Sequence, residues 1–146
     1  MVSADPSKLE TWDTEFSDVL CPSAILLCNT RGDAAVVVGP HGVDKYPKYL
    51  LRFNARSTVG YKCEDEGFAL NKSLFQLRSE NHRCTYKWVG SPWLDTYHAD
   101  HVEIILGGKL THYVIIGGDF IVEIISTEGP LIEKIESKTS VFGHKV

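Results

Sequence analysis

A chain of 146 residues, 43% hydrophobic and 23% charged, is long enough to bury a sizeable core and reads as one domain spanning 1–146. Its formal net charge of −4, with no basic run anywhere, argues against a dedicated nucleic-acid or anionic-membrane surface, because either needs clustered Lys and Arg to displace counterions. No apolar run approaches membrane thickness and no signal peptide is visible, so the expected setting is cytoplasmic.

The chain opens on Asp5-Pro6 followed by SKLETWDTEFSDVL, which predicts an amphipathic helix over 5–20. Asp5 serves as N-cap, and Pro6 takes the first helical position, where its missing N–H costs nothing. Leu9, Trp12, Phe16 and Val19 recur at spacings of three and four and form one apolar stripe. An antiparallel β core is expected over 24–137. In it AILLCN and AAVVVG, joined by TRGD, make a hairpin of two largely buried strands turning at Arg31-Gly32. Arg31-Gly32-Asp33 is also the tripeptide that integrins recognise, but its place between two strands makes it a turn here. Tyr49 to Ala55 alternates as a half-buried strand, with STVGYKC as its returning partner. Glu64 to Gly67 reads as a solvated acidic turn. FALNKSLFQLRS is compatible with a short helix or, in its second half, a hairpin with CTYKWVG.

His101 to Ser126 organises the rest: three runs rich in β-branched residues joined by Gly107-Gly108 and Gly117-Gly118. It reads as a three-stranded antiparallel meander, since two-residue hairpin loops favour glycine. If each Gly-Gly is the whole loop, Glu103 lies opposite His112 and His112 opposite Glu123, a titratable row crossing one face. Val102, Ile104, Leu106, Thr111, Tyr113, Ile115, Phe120, Val122 and Ile124 share the other face, which is the expected core. The row's own face is otherwise apolar, so something must cover it. LIEKIES follows as the last strand, placing Lys134 beside Glu123, and 138–146 is a peripheral tail whose Val141 and Phe142 could clip onto the sheet.

Ahead of the meander, Tyr86 to His101 holds an unusual concentration of rings around a Gly90-Ser91-Pro92 break. Trp88, Trp93, Tyr97, His98 and His101 form a candidate ligand-binding set, because large rigid rings give contact area at small entropic cost. The alternative use of both Trp side chains is to plug the open end of a sandwich. Asp95 to His101 resembles the HxHxDH metal signature of the metallo-β-lactamase family, but Thr96 stands where the first histidine belongs. That departure removes one of three clustered nitrogen ligands, and no metal is expected. Cys21, Cys28, Cys63 and Cys84 contain no CxxC pair and read as reduced, mostly packed thiols. GxSxG, P-loop, GxGxxG and HExxH motifs are all lacking, and no cofactor is expected.

The fold class expected is thus all-β, an antiparallel sandwich or barrel of about nine or ten strands with one N-terminal amphipathic helix. Two functions fit it. The first is a non-enzymatic binding module that takes a small molecule, a carbohydrate or a protein partner through the aromatic loop and the partly apolar sheet face, with homodimerisation as a variant. The second is a small acid–base enzyme of dehydratase, isomerase or cyclase type, using Glu103, His112 and Glu123 as catalytic residues.

Overall fold

The computed structural model describes residues 8–19, 22–65 and 83–146. Eleven strands and two short helices succeed one another in it: β1 (Leu9–Thr11), β2 (Ser23–Cys28), β3 (Ala34–Gly39), β4 (Lys48–Phe53), β5 (Thr58–Asp65), β6 (Thr85–Trp88), α1 (Pro92–Asp95), α2 (Ala99–Leu106), β7 (Thr111–Ile116), β8 (Phe120–Ser126), β9 (Leu131–Ile135), β10 (Ser140–Val141) and β11 (His144–Lys145). They form a five-stranded antiparallel sheet in the order β1-β6-β7-β8-β5, a four-stranded antiparallel sheet in the order β2-β3-β4-β9, and a β10-β11 hairpin. The FALNKSLFQLRS segment lies outside the described residues.

Strand alternation explains how the two larger sheets meet. On β7 and β8, Tyr113, Ile115, Val122 and Ile124 point one way, and on β2, β3 and β4 so do Ala24, Val36, Val38, Leu51 and Phe53; all are buried in one shared core with Phe16 and Cys84. The core face expected of the last two meander strands is therefore the one that packs between the sheets, giving a two-layer sandwich. The tail is less peripheral than its length suggests. Val141 is 1% exposed and closes over Ala35, Val37, Leu50 and Ile135 on the outer face of the four-stranded sheet, with Phe142 and Val146 beside it.

Several expectations fail, most of them because a partner distant in sequence wins over local pattern. No helix forms in residues 8–19. Leu9 sits opposite Trp88 on β6 and packs with Tyr86, Val114, Ile116 and Ile121, while Trp12 and Phe16 join the inter-sheet core. The spacing of three and four is thus divided between two faces of one sheet. The segment's hydrogen bonds go to β6 and its surroundings: Trp12 donates its amide to Thr85 at 3.3 Å, and Cys84 donates to the Ser17 carbonyl at 2.9 Å. Tertiary pairing outweighs propensity there. Strand β5 returns not to β4 but across the sandwich to β8, and β9 pairs with β4, far from Glu123. The first meander strand is the helix α2, so Ile104, expected in the core, is exposed, and Val102 and Leu106 are only half-buried. Of the described thiols only Cys84 is buried; Cys28 and Cys63 are exposed. Partial desolvation, followed by the nearby Asp119 carboxylate, pushes the Cys63 thiol above its ordinary value although the residue is exposed.

Among the described residues no helix is long and apolar enough to cross a membrane.

Candidate functional site

Hairpin β7–β8 brings His112 and Glu123 together by a different register from the one a Gly117-Gly118 loop would impose. His112 lies opposite Ile125 and Val114 opposite Glu123. The turn residues are Gly118-Asp119, since Gly117 donates its amide to the Phe120 carbonyl at 2.8 Å. A slip of two residues conserves which side chains share a face, and diagonal neighbours on a strand pair remain within reach of long side chains. His112 Nε2 accordingly lies 2.8 Å from Glu123 Oε1.

The turn shifts because side chains hold it in place. Asp119 Oδ1 accepts from the Phe120 and Ala24 amides, Oδ2 accepts from the Ser23 hydroxyl, and Gly118 donates to the Pro22 carbonyl at 2.8 Å. Neither Gly117 nor Gly118 takes a left-handed backbone. Gly117 is needed for close approach: a Cβ there would fall 2.8 Å from the Phe120 carbonyl oxygen and 3.0 Å from Ala24 Cβ.

Around the pair, Ser91 and Lys62 complete a polar chain. Ser91 caps the N-terminus of α1 by accepting the Leu94 amide at 3.1 Å, with Pro92 at the first helical position. The same oxygen lies 2.5 Å from His112 Nδ1. Ser91 has one O–H to donate, and the arrangement satisfying every group sends it to Nδ1 while Nε2–H donates to Glu123. The Glu123 carboxylate has a second partner in Lys62, its cross-strand neighbour on β5, with Nζ 3.4 Å from Oε2. Ser91 is 0% exposed, and His112 and Glu123 are each 1% exposed. Trp88 stacks on the imidazole with centroids 5.3 Å apart, and Trp93 meets it edge-on at 5.2 Å.

Trp93 is held in turn. The Lys62 ammonium stands 4.7 Å from its ring centroid, Tyr97 packs beside it, and both rings rest on Gly60, where a Cβ would meet the Trp93 ring at 3.0 Å. Trp88, Trp93 and Tyr97 thus lie on the sheet as a cover for the His112 row. Trp88 and Trp93 turn toward His112 and close a sheet face, not the sandwich end that the plugging alternative expected.

Glu103 does not reach the row. It lies on α2 and accepts the Leu110 amide at 3.2 Å through Oε1. The reason is that His101 to Leu106 forms a helix ended by Gly107 at φ 77°, whose amide donates to the Glu103 carbonyl at 2.8 Å. That is a left-handed glycine cap and not a hairpin turn. His98, at φ 45°, begins the helix, and His101 is exposed within it. With Asp95 and Asp100 these two histidines line an open depression of about 380 Å³. Among the described residues no group of three or more His, Cys, Asp or Glu side chains is placed to hold a metal ion.

Sequence reasoning missed Ser91, Lys62 and Gly60. Ser91 carried a signal, for Ser-Pro is an N-cap followed by a proline suited to the first helical position. Lys62 and Gly60 carried none, because their role depends on β5 crossing to β8. Lys62 takes the place expected of Lys134, whose nearest carboxylate is Glu136 at 3.8 Å. Comparison with family models, with curated proteins and with solved structures finds no match for this chain.

Proposed function

We propose that the protein is a non-enzymatic binding module whose recognition element is the α1–α2 arm and whose partner is a protein surface. The observation that carries this is the exposure of Ile104 and Ile105 on α2, at 81% and 68%. Adjacent isoleucines in water on a fixed helix favour burial against a partner, at about 1.5–3 kcal/mol for each side chain fully covered. Val102 and Leu106 face inward more than these two do, so the helix has a packed side and a presented side. The Ser91–His112–Glu123 chain supports the same reading as an anchor: it ties the start of the arm to the centre of the sheet. Asp95, His98, Asp100 and His101 give the arm a polar rim, which suits an interface with an apolar centre.

The test pairs Ile104→Ser/Ile105→Ser with the wild type in affinity capture and in sedimentation. A partner, or a second copy of this chain, held by the wild type and released by an equally folded double variant supports the proposal. Equal retention by both overturns it.

An acid–base enzyme has one observation in its favour, the hydrogen-bonded Ser91–His112–Glu123 geometry. It requires Trp93 to leave the imidazole, because a substrate must come within hydrogen-bond reach of the base. Proton-transfer activity that appears or rises in Trp93→Gly and vanishes on adding His112→Gln would favour it.

A further inference from the structure

The outer face of the four-stranded sheet is only partly closed by the β10–β11 hairpin. Between that hairpin and the loop at 40–43 lies a recess of about 260 Å³. Ile25, Val37 and Val43 supply apolar wall, Lys48 reaches in from the start of β4, and Lys145 stands on the hairpin side. Val146 lines it beside Lys145, and among the described residues no Asp or Glu side chain does.

Lys48 is the informative residue. It is only 9% exposed. Its ammonium donates to the Val43 carbonyl at 3.2 Å and stands 5.0 Å from the Tyr46 ring centroid. Among the described residues no carboxylate lies within ion-pair distance of it. An ammonium has three N–H donors, and one carbonyl with one ring face leaves donor capacity for an anion that enters the recess. Gly39 shapes the floor: a Cβ there would fall 2.8 Å from Lys48 Cγ, so the glycine lets the lysine stem lie flat against β3.

We propose that this recess binds a small organic acid, its carboxylate on Lys48 and its apolar body against Ile25, Val37 and Val43. The exposure of Ile25 and Val43, 42% and 71%, favours an acid with a hydrocarbon body over a bare inorganic anion, which would leave both side chains uncovered. Lys145 adds a second positive charge at the rim and favours anion entry. The volume, just under the usual range for ligand pockets, admits one ring or a short chain. The site is independent of the α1–α2 arm.

Titration calorimetry and NMR on the full chain test this with benzoate and hexanoate, their neutral counterparts benzyl alcohol and hexanol, and acetate. The acids are expected to bind and to shift the Ile25, Val37 and Val43 resonances, with both alcohols and acetate at least roughly tenfold weaker. Lys48→Met is expected to reduce the acids to the level of the alcohols. Because Lys48→Met can disturb the loop, Val43→Glu at an exposed position gives a separate arm: it folds as the wild type does and loses acid binding at low salt. Acids and alcohols binding equally, acetate matching hexanoate, Val43→Glu binding as the wild type does, or shifts confined to other residues would each overturn the proposal.

Discussion

Helix α2 and hairpin β7–β8 are neighbours in the chain and nearly alike in composition. Each has a run of apolar and β-branched residues, a Gly-Gly pair, a histidine and a glutamate. The molecule treats them oppositely. In the hairpin His112 and Glu123 are sealed beneath two tryptophans, whereas on the helix His101 is exposed and Glu103 turns back on the Leu110 amide. Gly107 is left-handed and ends a helix; Gly117 is not left-handed and serves close packing against β2. A glycine pair therefore marks where a segment stops without saying what kind of segment it was. The partners on either side decide that.

The most severe way to break the contrast is His112→Ala. It leaves Glu123 buried with only Lys62 to answer it and Ser91 without its acceptor, and should destabilise the fold by about 3 kcal/mol or more. Glu103→Ala, removing one side-chain bond to an amide, should lose about 1 kcal/mol. Denaturant melts of the two variants check the difference, and equal losses would sink it. Gly117→Ala comes next, at about 1–3 kcal/mol from overpacking against Phe120 and Ala24. Gly107→Ala has open space around it and should lose only the penalty of a left-handed Cβ, about 1–2 kcal/mol. Ile104→Ser with Ile105→Ser should stay within about 0.5 kcal/mol of the wild type, separating the presented surface from the fold.

A third corner, β2–β3, gives the mildest test. Asp33 accepts the Ala55 amide and the Asn29 side-chain amide, which together hold its carboxyl below the ordinary carboxylate value. The folded state therefore binds that proton less tightly than the unfolded chain. The stabilisation is present above the ordinary value, about 3.9, and is lost as pH falls through the lowered folded value. Asp33→Asn should flatten that part of the acid limb in pH-dependent melts, because at neutral pH it removes the same stabilisation that the wild type loses on acidification.

What could be read without coordinates was mostly local. The β2–β3 hairpin, the strands within Tyr49–Ala55 and LIEKIES, the inter-sheet faces of β7 and β8, and the meeting of His112 with Glu123 all follow from alternation and parity, which survive a two-residue slip. What could not be read was choice of partner. Nothing in STVGYKC says that it leaves its neighbour β4 for β8, and so nothing pointed to Lys62. In the Leu9 to Val19 stripe, apolar residues at helical spacing are equally well used by a chain that feeds two layers. Helix α2 was hidden for a different reason: its β-branched content favoured a strand, and its glycine cap matched a hairpin signal.

The carboxylate of Asp119 joins the first strand of one sheet to the tightest corner of the other. Neither layer can then fray from that end on its own. In hydrogen exchange, the Ala24 and Gly118 amides should open together, and only as slowly as the whole molecule does. The two layers would behave as one cooperative unit, pinned at that end by a side chain that a glance at the sequence would assign to a solvent-facing loop.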